Sequence, residues 1–206
     1  MTPPKFLYFD LGIVLVDFSV DQMFRQMADV SGVEPDRVEE ILFDGGLQSQ
    51  YELGRITGRE FYEAFCRQTD TRPDYDALQR AGCDIFELNV SMLPVVAQLR
   101  QAGYRMGVLS NTCDSHWEHC LGRYWIIAES FSVFALSCRI GAAKPDAAIF
   151  HAAAELAGVE PEGIFFVDDL PGHVAGAKAV GFDAVQYTTT PKFVTDLRKR
   201  GIRFNY

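Results

Sequence analysis

Five short apolar runs, alternating with stretches of helical spacing, constrain this chain more than any other feature. The runs are Lys5–Phe9, Tyr104–Leu109, Val133–Leu136, Ile164–Val167 and Ala184–Gln186. Their length and β-branched content predict parallel strands buried on both faces. Helical patterns lie between them, at about Ser91–Gln101, Asp114–Leu121, Asp146–Ala157, Val174–Val180 and Lys192–Arg200. Strand alternating with helix implies βαβ units, a parallel sheet and right-handed crossovers. Gly103, Gly158 and Gly181 stand just past three of those helices, where a left-handed residue ends a helix well.

The interval from about Asp17 to Asn89 differs. It offers no convincing strand, and its apolar residues follow helical spacing. Thr57-Gly58-Arg59-Glu60 is a capping box opening a helix whose Phe61, Ala64 and Phe65 share one face. Val33–Phe43 and Asp74–Phe86 read as further helices. A helical block inserted directly after the first strand suggests a cap over the carboxyl edge of the sheet, where open α/β sheets bind ligands. The predicted fold class is α/β, a Rossmann-like doubly wound parallel sheet with an inserted helical cap domain. Residues 1–16 and 91–206 form the core in this reading, and residues 17–90 the cap.

Charge narrows the partners. With 28 acidic and 19 basic residues the formal net charge is −9. A field of that sign argues against nucleic acid or an anionic membrane as the main partner. Any anionic ligand must be held by a local trap. The apolar run Phe6–Phe18 is broken by Asp10 and Asp17 and has no small-residue cleavage site, so neither a membrane span nor a secretory signal is expected. Cys66, Cys83, Cys113, Cys120 and Cys138 are odd in number and form no CxxC pair. They read as reduced thiols of a cytoplasmic protein, expected to be a monomer or a weak homodimer.

Chemistry-bearing residues gather at four places at or beside strand ends. Asp10 closes the first strand at the turn Leu11-Gly12, and Ser110-Asn111-Thr112 closes the second. Lys144-Pro145-Asp146 precedes a helix, and Asp168-Asp169 ends a fully apolar strand. One site accounts for all four. Asp10 and one of the paired acids supply oxygen ligands for a divalent cation, which suits magnesium. Lys144, the Ser110 hydroxyl and backbone amides around Asn111 can hold phosphate oxygens. With charge so offset, the Asp10 carboxylate can attack phosphorus and form an aspartyl-phosphate.

The order Asp10…Ser110-Asn111…Lys144-Pro145…Asp168-Asp169 resembles the four motifs of the haloacid dehalogenase-like superfamily over most of the chain. The insert after Asp10 resembles its first class of helical cap. The stretches YFDLGIVLVDF, LGRITGREFYEAF and VLSNT are similar to sugar-phosphate phosphatases of the glucose-1-phosphate type and to the phosphatase domain of soluble epoxide hydrolases. The resemblance implies magnesium-dependent hydrolysis of a small phosphorylated metabolite. It implies Asp10 as nucleophile and metal ligand and the Gly12 carbonyl as a second ligand. Ser110, Asn111 and Lys144 then meet the phosphate, and Asp169 meets the metal with Asp168 beside it.

The chain also departs from that pattern. Most phosphatases of the family carry a second Asp two residues after the nucleophile, as general acid and base, where this chain has Gly12. Ile13 is bulky where relatives are small or polar, and His173 stands where they often have Asn. Alternatives therefore include a 2-haloacid dehalogenase, a phosphotransferase or mutase, and a catalytically weak binder of phosphorylated ligands or of a partner protein. Cys113, His116 and Cys120 share a helix face that reads as core rather than zinc site. His116 could instead reach the phosphate. His173 is either a residue of a first helical turn or a substitute proton carrier. Arg55 and Arg59 read as solvated, with an anionic substrate as the competing role.

Overall fold

The structure is a computed structural model describing residues 3–206. The chain begins with strand β1 (Phe6–Phe9) and a short strand β2 (Val16–Phe18). There follow helices α1 (Val20–Ser31) and α2 (Pro35–Glu39), a π-helical turn over Glu40–Asp44, then α3 (Leu47–Glu52), α4 (Gly58–Thr69) and α5 (Tyr75–Cys83). The chain returns through β3 (Phe86–Leu88) to α6 (Leu93–Gln101), β4 (Met106–Ser110), α7 (Asp114–Arg123), α8 (Trp125–Ser130) and β5 (Val133–Leu136). It ends with α9 (Ser137–Ile140), α10 (Ala147–Ala157), β6 (Ile164–Asp168), α11 (Pro171–Ala179), β7 (Asp183–Gln186) and α12 (Thr190–Lys199).

Five strands form one parallel sheet in the order β5-β4-β1-β6-β7. It is the doubly wound sheet expected from the alternation. Burial on both faces explains the unbroken apolar runs. Along β1, Phe6 and Tyr8 face one core with Ile149, Phe150 and Phe166, while Leu7 and Phe9 face the other with Val108, Phe165 and Phe193. Packing around β4 is tight enough to require glycine. A Cβ added at Gly107 would lie 2.6 Å from the Tyr8 ring and 2.7 Å from the Val133 carbonyl.

The interval expected to hold no strand holds all of β3 and two of the three residues of β2. β2 and β3 pair antiparallel, with Val16 opposite Leu88 and Phe18 opposite Phe86. Each strand is three residues long with one buried residue, so neither writes an apolar run into the sequence. This ribbon carries the chain out of the sheet and back. Asn89 ties its base: Nδ2 donates to the Ile13 and Val14 carbonyls at 3.1 and 3.2 Å and to the Tyr187 hydroxyl at 2.9 Å.

Within the helical block the capping box is formed. Thr57 N donates to Glu60 Oε2 at 2.8 Å, and Glu60 N donates to Thr57 Oγ1 at 3.2 Å. The helix expected over Val33–Phe43 is instead α2 followed by the π-helical turn. The one expected over Asp74–Phe86 starts at its Asp74 cap and stops at Cys83. Three polar contacts join this block to α7 and α9, which follow β4 and β5. They are Ser115 N to the Tyr51 hydroxyl (3.3 Å), the Ser137 hydroxyl to Glu52 O (2.6 Å), and His116 Nε2 with Gly82 O (3.1 Å).

Candidate active site

Three neighbouring strands deliver the site. Asp10 directly follows β1, Ser110 ends β4 on one side of it, and Asp168 ends β6 on the other. The crevice beyond the carboxyl ends of such strands is where a doubly wound sheet changes direction and binds ligands. A cavity of about 480 Å³ opens there, lined by Asp10, Gly12, Ser110, Asn111, Lys144 and Asp169 from the sheet side and by residues of the helical block. The four sequence motifs are brought together.

Lys144 is the hub. Its ammonium lies 2.8 Å from Asp10 Oδ1, 2.6 Å from Asp168 Oδ2 and 3.0 Å from the Leu109 carbonyl. An ammonium has three hydrogens, so all are engaged. Lys144 holds the two carboxylates, and a phosphate must take one of those contacts. Asn111 is engaged as well. Its side chain clamps the Lys144 peptide, accepting from Lys144 N at 2.8 Å and donating to Lys144 O at 3.0 Å. The Lys144–Pro145 peptide is cis. The Ser110 hydroxyl has only a 3.4 Å contact to the Asn111 carbonyl, which leaves it available.

Asp168 is fully buried and saturated. Besides Lys144 it accepts from Leu170 N at 2.8 Å, and His173 Nδ1 lies 3.1 Å from both its oxygens. Burial would raise its pKa, but the bonds from His173 and Lys144 outweigh burial and hold the carboxyl at about 2. Asp10 behaves oppositely. Burial outweighs the Lys144 charge and raises it to about 6. Burial and the neighbouring Asp168 also push Asp169 upward. Three carboxylates thus gather around one ammonium, and the site is short of positive charge.

That imbalance is the test of whether a divalent cation fits. Asp169 makes no side-chain hydrogen bond among the described residues, Asp10 uses Oδ1 alone, and both line the cavity beside Gly12. The Gly12 carbonyl accepts from Val14 N at 2.6 Å, which leaves one lone pair. An all-oxygen donor set of this charge fits a hard cation such as magnesium. The ligand atoms of Asp10, Asp168 and His173 also lie within 4.8 Å of one another. Those of Asp168 and His173 already bond each other, which makes Asp169 the better candidate of the acid pair.

The secondary candidates resolve as follows. Cys113, which caps α7, and Cys120 within it are buried in the core, as the helix-face reading expected. His116 lines the cavity but packs edge-on against Phe86 and bonds to Gly82, and burial lowers its pKa. Arg59 stays outside, paired with Glu63 and lying over the Tyr62 and Tyr75 rings. His173 sits in the first turn of α11 and also lines the cavity. Sequence reasoning missed Phe18, Phe43, Gln48 and Glu52, which line the cavity from residues 17–90. Gln48 and Glu52 stand i, i+4 on α3 and bond at 2.9 Å. Ile13 adopts a left-handed φ of 61°, unusual for a β-branched residue, in the turn after Asp10.

An aspartate at the end of the central strand is thus paired to a buried lysine and flanked by one saturated acid, Asp168, and one free acid, Asp169. The chain belongs to the haloacid dehalogenase-like hydrolase family, whose model matches residues 9–181. It is 33% identical to the glyceraldehyde 3-phosphate phosphatase of Methanopyrus kandleri over 165 residues, 76% of this chain and 70% of that protein. It is also 33% identical to a phosphatase of Mycobacterium tuberculosis over 91 residues, 44% of this chain and only 42% of that protein. A family enzyme of Bacteroides thetaiotaomicron, crystallised with magnesium and inorganic phosphate, superposes with a TM-score of 0.80 at 26% identity. That superposition covers 90% of this chain and 94% of the other. No helix among the described residues is long and apolar enough to cross a membrane.

Proposed function

We propose that this protein hydrolyses small phosphomonoesters by way of an aspartyl-phosphate on Asp10, with magnesium at Asp10, Asp169 and the Gly12 carbonyl. The observation that supports this best is the convergence of Asp10, Ser110, Lys144 and the Asp168-Asp169 pair on one cavity. When bound, the cation supplies charge neutralisation for the phosphate and for the acids around it. The Asp10 carboxylate attacks phosphorus, and the ester oxygen leaves with the bonding pair. Ser110 and backbone amides orient the phosphate oxygens, and Lys144 sets the direction of Asp10 and offsets negative charge. Water then attacks phosphorus, releasing phosphate and restoring the carboxylate.

Dehalogenase chemistry has no use for three acids around one lysine, which favours phosphorus over carbon as the target. The sugar-phosphate expectation rests on resemblance alone. Residues 17–90 act as the cap in this proposal, crossing to the core of residues 1–16 and 91–206 through the β2/β3 ribbon, in a monomer or weak homodimer. Five free thiols suit a reducing compartment, the cytoplasm. The test is phosphate release from a panel of monoesters with magnesium, and again in excess chelator. Release that needs the cation is expected, and full activity in chelator would overturn the magnesium assignment.

A further inference from the structure

We propose that the site is selective for aryl phosphomonoesters, whose leaving group is apolar and whose only charge is the phosphate. The inference rests on the phosphohydrolase reading above and specifies its substrate class.

Three observations carry it. The first concerns the space beside Gly12, where a side chain would otherwise stand. A Cβ built on Gly12 would lie 2.8 Å from Cε1 of Phe18, so the aromatic ring fills that place. No carboxyl side chain can stand at this position to protonate the departing oxygen. That oxygen must carry its own negative charge, which a phenolate does by delocalisation and a sugar alkoxide does poorly.

The second is the mouth of the cavity. Nine large hydrophobic residues are exposed among the described residues, and four of them line this one cavity. They are Ile13 at 37%, Phe18 at 41%, Phe43 at 49% and Leu170 at 48% exposure. Exposed apolar residues scattered singly are ordinary, but four converging on a cleft mark a place where an apolar body sits. Sugar hydroxyls pressed against these side chains would lose water without gaining partners.

The third is charge. Lys144 is the one lysine or arginine in the cavity wall, and its hydrogens already serve Asp10, Asp168 and Leu109. Arg59 is held outside by Glu63. Glu52 lies in the wall instead. A second phosphate or a carboxylate on the substrate finds no free lysine or arginine in this wall and meets a like charge.

The experiment compares kcat/KM for phenyl phosphate, 4-carboxyphenyl phosphate and α-D-glucose 1-phosphate at fixed magnesium, in the wild-type chain and in Phe18→Ala and Phe43→Ala. Phenyl phosphate should exceed both others by about tenfold or more, in line with what small changes of apolar fit confer. Each alanine variant should cut the phenyl-to-sugar ratio severalfold. Equal or better turnover of the sugar phosphate overturns the inference and leaves the phosphohydrolase reading standing. A ratio unmoved in both alanine variants, which sit at separate, partly exposed positions, overturns it as well. Phosphate release from none of the esters would overturn the phosphohydrolase reading and this inference with it.

Discussion

Asp10 and Asp168 share one ammonium, yet replacing each by its amide should move stability in opposite directions in the metal-free protein. Asp10 is raised from 3.8 to about 6 because burial outweighs Lys144. At about 1.4 kcal/mol per pKa unit, ionised Asp10 costs the folded state about 3 kcal/mol once the pH exceeds about 6. Asp168 is lowered from 3.8 to about 2, since His173 and Lys144 outweigh its burial. Its charge contributes about 2 kcal/mol, present above 3.8 and lost as the pH falls through about 2. Asp10→Asn should therefore stabilise by up to about 3 kcal/mol at mildly alkaline pH, the gain shrinking below about pH 6 and vanishing near pH 4. Asp168→Asn should destabilise by about 2 kcal/mol across the neutral range, and by more where the new amide faces the ammonium. Urea unfolding in excess chelator, followed by the fluorescence of the fully buried Trp117, reads both. Saturating magnesium should narrow or reverse the Asp10 difference, because the cation stabilises only the carboxylate. An Asp10→Asn variant less stable than wild type in chelator at alkaline pH would refute the reasoning. It would mean that Lys144 more than offsets the burial of Asp10.

Further outcomes test the remaining roles. Lys144→Met should lower kcat/KM for phosphate release by about a hundredfold or more, since a positioned cation at a developing phosphoryl charge supplies several kcal/mol; a loss below threefold would reduce Lys144 to a structural residue. Titration calorimetry should find magnesium weakened more by Asp169→Ala than by Asp168→Ala, and the reverse order would place the cation on Asp168. Ile13→Gly should raise the unfolding midpoint by relieving a left-handed β-branched residue, worth about 1 kcal/mol. A lower midpoint would mean that the Ile13 side chain contributes more through contact than it costs in strain.

The sheet was legible in the sequence because β1, β4 and β6 are buried along their whole length, so each becomes an uninterrupted apolar run. The placement of Asp10, Ser110 and Asp168 at their ends followed from that. The ribbon was not legible, since β2 and β3 each bury one residue and pair only when some 70 residues between them have folded. α1 did leave a readable signal, a Ser19 cap and buried Met23, Phe24, Met27 and Ala28 on one face, and it was overlooked. What each polar group does in the site was beyond the sequence. That Asn111 clamps the Lys144 peptide, and that Lys144 spends its hydrogens on two acids and a carbonyl, depends on contacts across 24 to 134 residues that no local pattern records. Phe18 filling the space beside Gly12 is of the same kind.

The central claim is that Asp10 becomes covalently phosphorylated. The most direct measurement is acid quenching of the enzyme during turnover of a phosphate-labelled aryl ester with magnesium, followed by peptide mapping of the chain. Label should appear on the peptide carrying Asp10 within the first turnover, decay as substrate is exhausted, and be absent in folded Asp10→Asn along with phosphate release. Phosphate release by the folded Asp10→Asn variant, or label on a peptide without Asp10, would contradict the account.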